Sequence, residues 1–253
     1  MEEGWLTATL AEKIPERVLK HSSELVSSFL EREAQGLQVE WQFFSSHGWF
    51  GVRAKGDDAE AFVNLLKERL GEAPVQSARV ERWDVLKGFV TGSGRVGFGV
   101  YIDLGVTEPV RKDALYPLHR MRAQLADGAA KPCRDILDEN ALVDYFPLVV
   151  VMTEIDGEKL TVELADRARD LLLSWKRLPF DRVLAVGVGR QQVENAVKSA
   201  GLQYDVIKIE SLSLFVQCLI CKIGTDAPGI ISKIGGRLRG AGLASYRTPI
   251  RLG

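Results

Sequence analysis

Three cysteines in 253 residues, Cys133, Cys218 and Cys221, are too few for a disulfide framework. Cys218 and Cys221 have C-x-x-C spacing, but they lie inside the apolar run LFVQCLICKIG. Residues i and i+3 of a strand point to opposite faces, and no second pair completes a zinc site, so both are expected in the core. The three histidines, His21, His47 and His119, are scattered. There is no Walker loop, no Ser-His-Asp order and no H-E-x-x-H helix, so nothing assembles an acid, a base and a nucleophile. The expectation is a protein that is not an enzyme and carries no metal or cofactor. No apolar run is long enough to span a bilayer, and the start MEEGWLTATLAEK lacks a signal peptide's basic n-region and apolar core. A cytoplasmic location without a membrane partner is expected. Charge of one sign is also missing: 33 Lys and Arg against 34 Asp and Glu leave −1. Attraction to a polyanion must then come from a local patch.

What is present is an ordinary globular composition, 46% hydrophobic and 26% charged, in a chain long enough for two or three domains. Residues 1–82 read as β-α-β-β-α-β. WLTATLAE is a strand, and PERVLKHSSELVSSFLEREAQG an amphipathic helix. LQVEWQFF and WFGVRAKG form a hairpin around Ser45-Ser46-His47-Gly48. DAEAFVNLLKERLG is a helix and SARVERWDVL a further strand. Residues 163–253 open with a connecting helix, ELADRARDLLLSWKRLPF, and then repeat the order: DRVLAVGV, the helix RQQVENAVKSAGL, YDVIKIESLS, LFVQCLICKIG, the helix PGIISKIGGRLRGAG and LASYRTPIR. Gly187-Val188-Gly189-Arg190 follows a strand, as a nucleotide loop would. It lacks the third glycine and an acidic residue after the next strand.

Between them, residues 83–162 supply five short strands, VLKGFVTG, GFGVYIDLG, DALYPLH, FPLVVVMTEI and EKLTVELA. With little room for a crossover helix, these suit a small closed barrel. The glycines of VLKGFVTGSGRVGFGVYIDLG would supply the coiling that such a barrel needs. Phe98 and Tyr101 would face opposite ways in a regular strand. A bulge near Gly99 would bring both rings to one surface, a platform for stacking bases.

GFVTGSGRVGFGVYIDLG, DALYPLH and VVVMTEIDGEKLTVELA together resemble the S1 subclass of OB-folds. The resemblance implies that Phe98 and Tyr101 are stacking aromatics, with Asp156 and Lys159 near that family's polar pair at the last turn. Pro117 stands where S1 domains carry an exposed histidine, and His119 lies two residues on. Residues 120–145 read as an insertion. The arrangement as a whole, with YPLHRMRAQLADG and CKIGTDAPGIISKIG, resembles a family of conserved archaeal proteins of unknown function. The fold class expected is therefore α+β, a central S1-like OB β-barrel flanked by two ferredoxin-like βαββαβ units.

Two basic stretches stand out. Arg111, Lys112, Arg120, Arg122, Lys131 and Arg134 face only Asp113 and Asp127 between residues 111 and 134, six minus two, or +4. The tail holds Lys222, Lys233, Arg237, Arg239, Arg247 and Arg251 against Asp226, six minus one, or +5. Each stretch is either a phosphate-binding footprint or a solvated face. GTDAPGIISKIGGRLRGAGL resembles the strand-to-helix signature of ACT domains, which implies a ligand at the turn around Asp226, Pro228 and Gly229. Helix capping by Asp226 accounts for the same residues without one. In VEWQFFSSHGWFGVRAK, Trp41 and Phe43 should face the helices. Trp49 is in phase with Arg53 and Lys55, either as a second, RRM-like stacking surface or as a ring buried against the barrel.

These readings point to a non-enzymatic, RNA-binding protein, with the ribosome or RNA polymerase as candidate partners. The residues expected to carry it are Phe98, Tyr101, Arg111, Lys112, His119, Arg120, Arg122 and Lys159. Asp226, Gly229, Lys233, Arg237 and Arg239 form a candidate ligand or phosphate group. The alternatives are a protein-interaction adaptor and an amino-acid sensor at the ACT-like turn.

Overall fold

A computed structural model describes residues 4–157 and 159–250. Arg251 lies outside the described residues. The N-terminal unit contains β1 (Leu6–Lys13), α1 (Glu16–His21), α2 (Ser23–Glu33), β2 (Glu40–Ser46), β3 (Trp49–Lys55) and α3 (Ala59–Leu70). The single helix expected over residues 15–36 is two, because Ser22 leaves helical geometry at φ −153°. Serine is prone to this, since its hydroxyl competes for backbone partners. The sheet has the order β1-β3-β2 and is antiparallel. Its core includes Leu10, Val26, Leu30, Phe50, Phe62 and Leu66, with Trp41 and Phe43 packed against it as expected.

The fourth strand expected at SARVERWDVL does not join this sheet. The chain begins such a strand and leaves it. Ala11 N donates to Gly71 O, and Ala73 N to Thr9 O, so residues 71–73 sit beside β1. Then β4 (Val75–Gln76) pairs in parallel with a barrel strand, and residues 77–79 form a 3₁₀ turn. Val75, whose N–H would be the next donor to β1, instead has φ +51° and pairs with the barrel.

The barrel is closed and five-stranded, as expected. Its strands are β5 (Val85–Thr91), β6 (Gly99–Glu108), β7 (Lys112–Pro117), β8 (Pro147–Asp156) and β9 (Lys159–Leu164). They run β6-β5-β8-β9-β7, and a β6–β7 pairing closes the ring. β7 and β9 meet in parallel at Leu115 and Thr161, as in an OB topology. Two glycines explain the tight coiling. A Cβ on Gly88 would stand 2.5 Å from Ile102 Cγ2, and one on Gly99 would stand 2.5 Å from the Tyr116 carbonyl oxygen. Neighbouring strands approach where no side chain intervenes.

The segment read as an insertion before the fourth barrel strand folds onto the barrel. It forms α4 (Leu118–Leu125) and α5 (Cys133–Glu139), whose Met121, Leu125, Cys133, Ile136 and Leu137 plug one end of the barrel. Periodicity in the sequence marks no helix here because the two are only 8 and 7 residues long. α6 (Asp166–Arg177) adds Ala168, Leu172 and Trp175 to the same core.

The C-terminal unit contains β10 (Arg182–Val186), α7 (Arg190–Ser199), β11 (Val206–Ser213), β12 (Val216–Cys221), α8 (Ala227–Ile234) and β13 (Gly242–Tyr246). Its sheet runs β11-β12-β10-β13, antiparallel throughout, the ferredoxin-like arrangement expected. The last helix stops at Ile234, short of the expected residue 242, where Gly235 and Gly236 remove helix propensity. Cys218 belongs to the barrel-side core and Cys221 to the helix-side core, on opposite faces. Burial pushes both thiols up to about 12.

The units are welded rather than strung. The β11–β12 turn places Phe215, with Leu214 beside it, in the core of the N-terminal unit. Glu12 of β1 forms a close ion pair with Lys87 of the barrel. Burial raises the Glu12 carboxyl; Lys87, the Leu214 backbone and Ser213 oppose that shift. The glycine-rich loop after β10 holds no open phosphate cradle of the dinucleotide kind. Side chains of the N-terminal unit fill its approach, with Arg17 Cδ 2.6 Å and Leu25 Cδ2 3.4 Å from where Cβ atoms of Gly187 and Gly189 would stand.

Candidate nucleic-acid interface

Strand alternation sorts β6 cleanly. Val100, Ile102 and Leu104 point into the barrel and are buried. Tyr101 and Asp103 therefore share the outer face. Phe98 joins them, but not through the expected bulge. The pairing of Gly99 through Asp103 with Pro117 through Asp113 is regular, and the irregularity lies further on, between Asp103 and Val106. Phe98 sits in the loop just before β6, free of the strand's alternation, with its carbonyl held by Leu118 N at 2.8 Å. Phe98 is 55% exposed. It meets Tyr101 edge to face, with centroids 6.4 Å apart and planes at 87°.

The rest of the outer face divides in two. Beyond Tyr101, Leu115 and Thr161 are cross-strand neighbours, half-buried, and Lys159 is exposed two residues from Thr161. In the other direction, Asp103 is 1% exposed beneath the N-terminal unit. Its Oδ2 receives Lys13 Nζ at 2.5 Å and Arg111 Nη2 at 3.0 Å. Its Oδ1 receives Trp49 Nε1 at 2.9 Å and Gly105 N at 3.0 Å. Lys13 Nζ also lies over the Trp49 and Tyr145 rings. Trp49 is thus buried against the barrel, edge to face with Phe89 at 5.6 Å, and offers no second stacking surface. Asp113, paired across from Asp103, has its carboxyl raised by burial and by that neighbouring carboxylate.

Between this seam and the platform lies a cleft of about 410 Å³ that includes Lys13, His47, Thr91, Arg95, Arg111 and Tyr145. Thr91 is the cross-strand partner of Tyr101, so cleft and platform adjoin. Arg95 is exposed and makes no ion pair among the described residues. It stands alone among glycines in the sequence, so no run of charge marks it.

The basic stretch on residues 111–134 is more neutral in space than in sequence. Arg111 is engaged by Asp103, Arg120 by Glu163 at 3.2 Å, Lys131 by Glu139 at 2.5 Å and Arg134 by Asp138 at 3.9 Å. Arg122 Nε donates to the Lys131 carbonyl. Lys112 is half-buried at the start of β7 without an ion pair among the described residues. His119 and Arg120 are exposed in the first turn of α4, directly after the residue that holds Phe98.

The C-terminal group does not converge on one point. Asp226 caps α8, accepting from Gly229 N at 2.9 Å, and a Cβ at Gly229 would stand 2.9 Å from the Asp226 carboxylate. Lys233 is exposed in the last turn. Arg237 and Arg239 line a different cavity, at the junction with the N-terminal unit. Among the described residues no helix is long and apolar enough to cross a membrane, and no three metal-ligating side chains cluster.

Family models match the chain in two places, the DUF2110 central domain over residues 80–176 and the DUF2110 C-terminal domain over residues 180–245. The first spans the barrel and α6; the second spans the ferredoxin-like unit. No curated protein matches the chain.

Proposed function

We propose that this chain, which belongs to the DUF2110 family of unknown function, is a non-enzymatic protein that binds single-stranded RNA along the uncovered strip of its barrel's outer face. The observation that carries this reading is the exposed Phe98 ring set edge to face against Tyr101. Leaving an aromatic ring exposed on the barrel's outer face forgoes hydrophobic stabilisation, and base stacking would recover it. Phe98 and Tyr101 would take bases. Arg95, Lys112, Arg120 and Lys159 would meet phosphates, with Arg111, His119 and Arg122 at the edges of the track. A docking place on translation or transcription machinery is part of the proposal. Fluorescence anisotropy with a labelled oligoribonucleotide tests it: wild type should bind with a salt-dependent affinity, and no binding at low salt would reject the reading.

One observation favours a second reading, an adaptor that docks protein. β11 is an edge strand, with Ile207 exposed on it and Tyr204 87% exposed just before it. Unpaired edges template further strands. Purification from native extract with and without nuclease separates the two, since protein partners survive the nuclease and RNA-bridged ones do not.

A further inference from the structure

A cavity of about 380 Å³ lies where α1–α2 of the N-terminal unit meet the C-terminal unit. It lies away from the barrel platform and does not depend on the RNA reading. Ser22, at the break between the two helices, contributes from one side. Gln192, Asn195, Ser199, Arg237 and Arg239 contribute from the other. The volume falls within the range of small-molecule sites, about 300–1,000 Å³.

Its chemistry is one-sided. Among the described residues no carboxylate lines it. Arg239 is exposed and makes no hydrogen bond or ion pair among the described residues. Arg237 donates only to carbonyl oxygens, Lys233 O at 2.6 Å and Ser199 O at 3.4 Å, which leaves most of its five N–H donors free. The two amides are turned the same way. Gln192 Oε1 already accepts from Gly189 N, and Asn195 Oδ1 from Gln191 Nε2, so each has its NH₂ group left to donate. Gly187, at the wall, has φ +79°, and Arg17 packs against it from outside the cavity lining. The Arg17 Nη1 is buried and has no partner among the described residues. The cavity thus offers two guanidinium groups and two amide donors on one wall.

We infer that this cavity binds the phosphate group of a small phosphorylated metabolite of nucleotide or pyrophosphate type, with Arg237 and Arg239 as the clamp and Asn195, Gln192 and Ser22 as neutral donors. Guanidinium pairs suit phosphate because their planar forks donate two parallel bonds. Since the wall comes from two units, the bound anion would also tie α1–α2 to the C-terminal unit.

Isothermal titration of the full chain with pyrophosphate, AMP and inorganic phosphate, together with melting curves, tests this. Saturable binding of pyrophosphate or AMP is expected, with a melting temperature that rises with ligand concentration. Arg239→Glu should weaken binding about tenfold or more and leave the ligand-free melting temperature unchanged, since this side chain holds nothing in place. Asn195→Leu, which removes a donor and fills space, should weaken it by a route independent of charge. No saturable heat at millimolar ligand, or equal binding by Arg239→Glu, would overturn the inference. So would an oligoribonucleotide that displaces pyrophosphate and itself loses affinity in Arg239→Glu, because the cavity would then belong to RNA. Failure of RNA binding alone leaves this titration readable.

Discussion

Tyr101 and Asp103 are two residues apart on the same face of the same strand, yet one opens onto solvent beside Phe98 and the other is sealed under Lys13 and Trp49. The barrel alone would expose both. The difference comes from the N-terminal unit, whose β1 and β3 cover one half of the outer face and stop short of the other. What remains open is a short strip from Phe98 through Tyr101 and Leu115 to Lys159, with the Arg95 cleft at its border. The barrel's outer face is thus narrowed by a neighbour to a short uncovered strip.

The largest effect is expected at the sealed end. Asp103→Ala leaves Lys13, 8% exposed, as an uncompensated buried cation. Removing one partner of a buried pair costs about 3–5 kcal/mol, read as a lower urea midpoint. An unchanged midpoint would show that the seam does not hold the two units together. Phe215→Ala should cost about 3–5 kcal/mol as well, because a large ring leaves a core. A second unfolding transition would show that the N-terminal unit comes loose from the C-terminal one.

At the open end the expectation reverses. Phe98→Ala should change stability by no more than about 0.5 kcal/mol while costing about 1–3 kcal/mol of RNA binding. Arg95→Glu should lower the slope of log K against log salt by about 0.7, because one phosphate of the single strand is no longer neutralised. Arg120→Glu should lower it less, since Glu163 already holds that guanidinium. The smallest effect is in pH. The folded carboxyl of Glu12 lies above its ordinary 4.5 because of burial. The folded state therefore keeps this proton longer than the unfolded state. Stability should fall as pH rises from about 4.5 through the raised value, and then level off. Glu12→Gln should flatten that stretch of the stability–pH curve; an unaltered curve would mean that Glu12 titrates normally.

Local pattern made the barrel legible. Alternation placed its strands, and the glycines marked where strands touch, at Gly88 and Gly99. It also made the pairing of Phe98 with Tyr101 visible, though for the wrong geometric reason: a loop, and not a bulge, releases Phe98. The ferredoxin-like order of the C-terminal unit was readable from its helix and strand periods. What stayed hidden depends on partners far apart in the chain. Lys13 and Asp103 are 90 residues apart, and nothing local marks either as buried. Phe215 looks like a strand residue of its own unit. SARVERWDVL has the composition of a strand, but the chain has already left β1 after residue 73 and joined the barrel at Val75–Gln76. The basic stretch looks free in the sequence because its carboxylate partners, Glu139, Asp138 and Glu163, lie beyond residue 134, just past the stretch or on another strand.

The central claim is that the open end of the outer face stacks RNA bases, and anisotropy on Phe98→Ala with a short single-stranded oligoribonucleotide at fixed salt tests it most directly. The affinity should be about 5- to 150-fold weaker than that of wild type, with an unchanged melting temperature; equal affinity in the two proteins would contradict the claim.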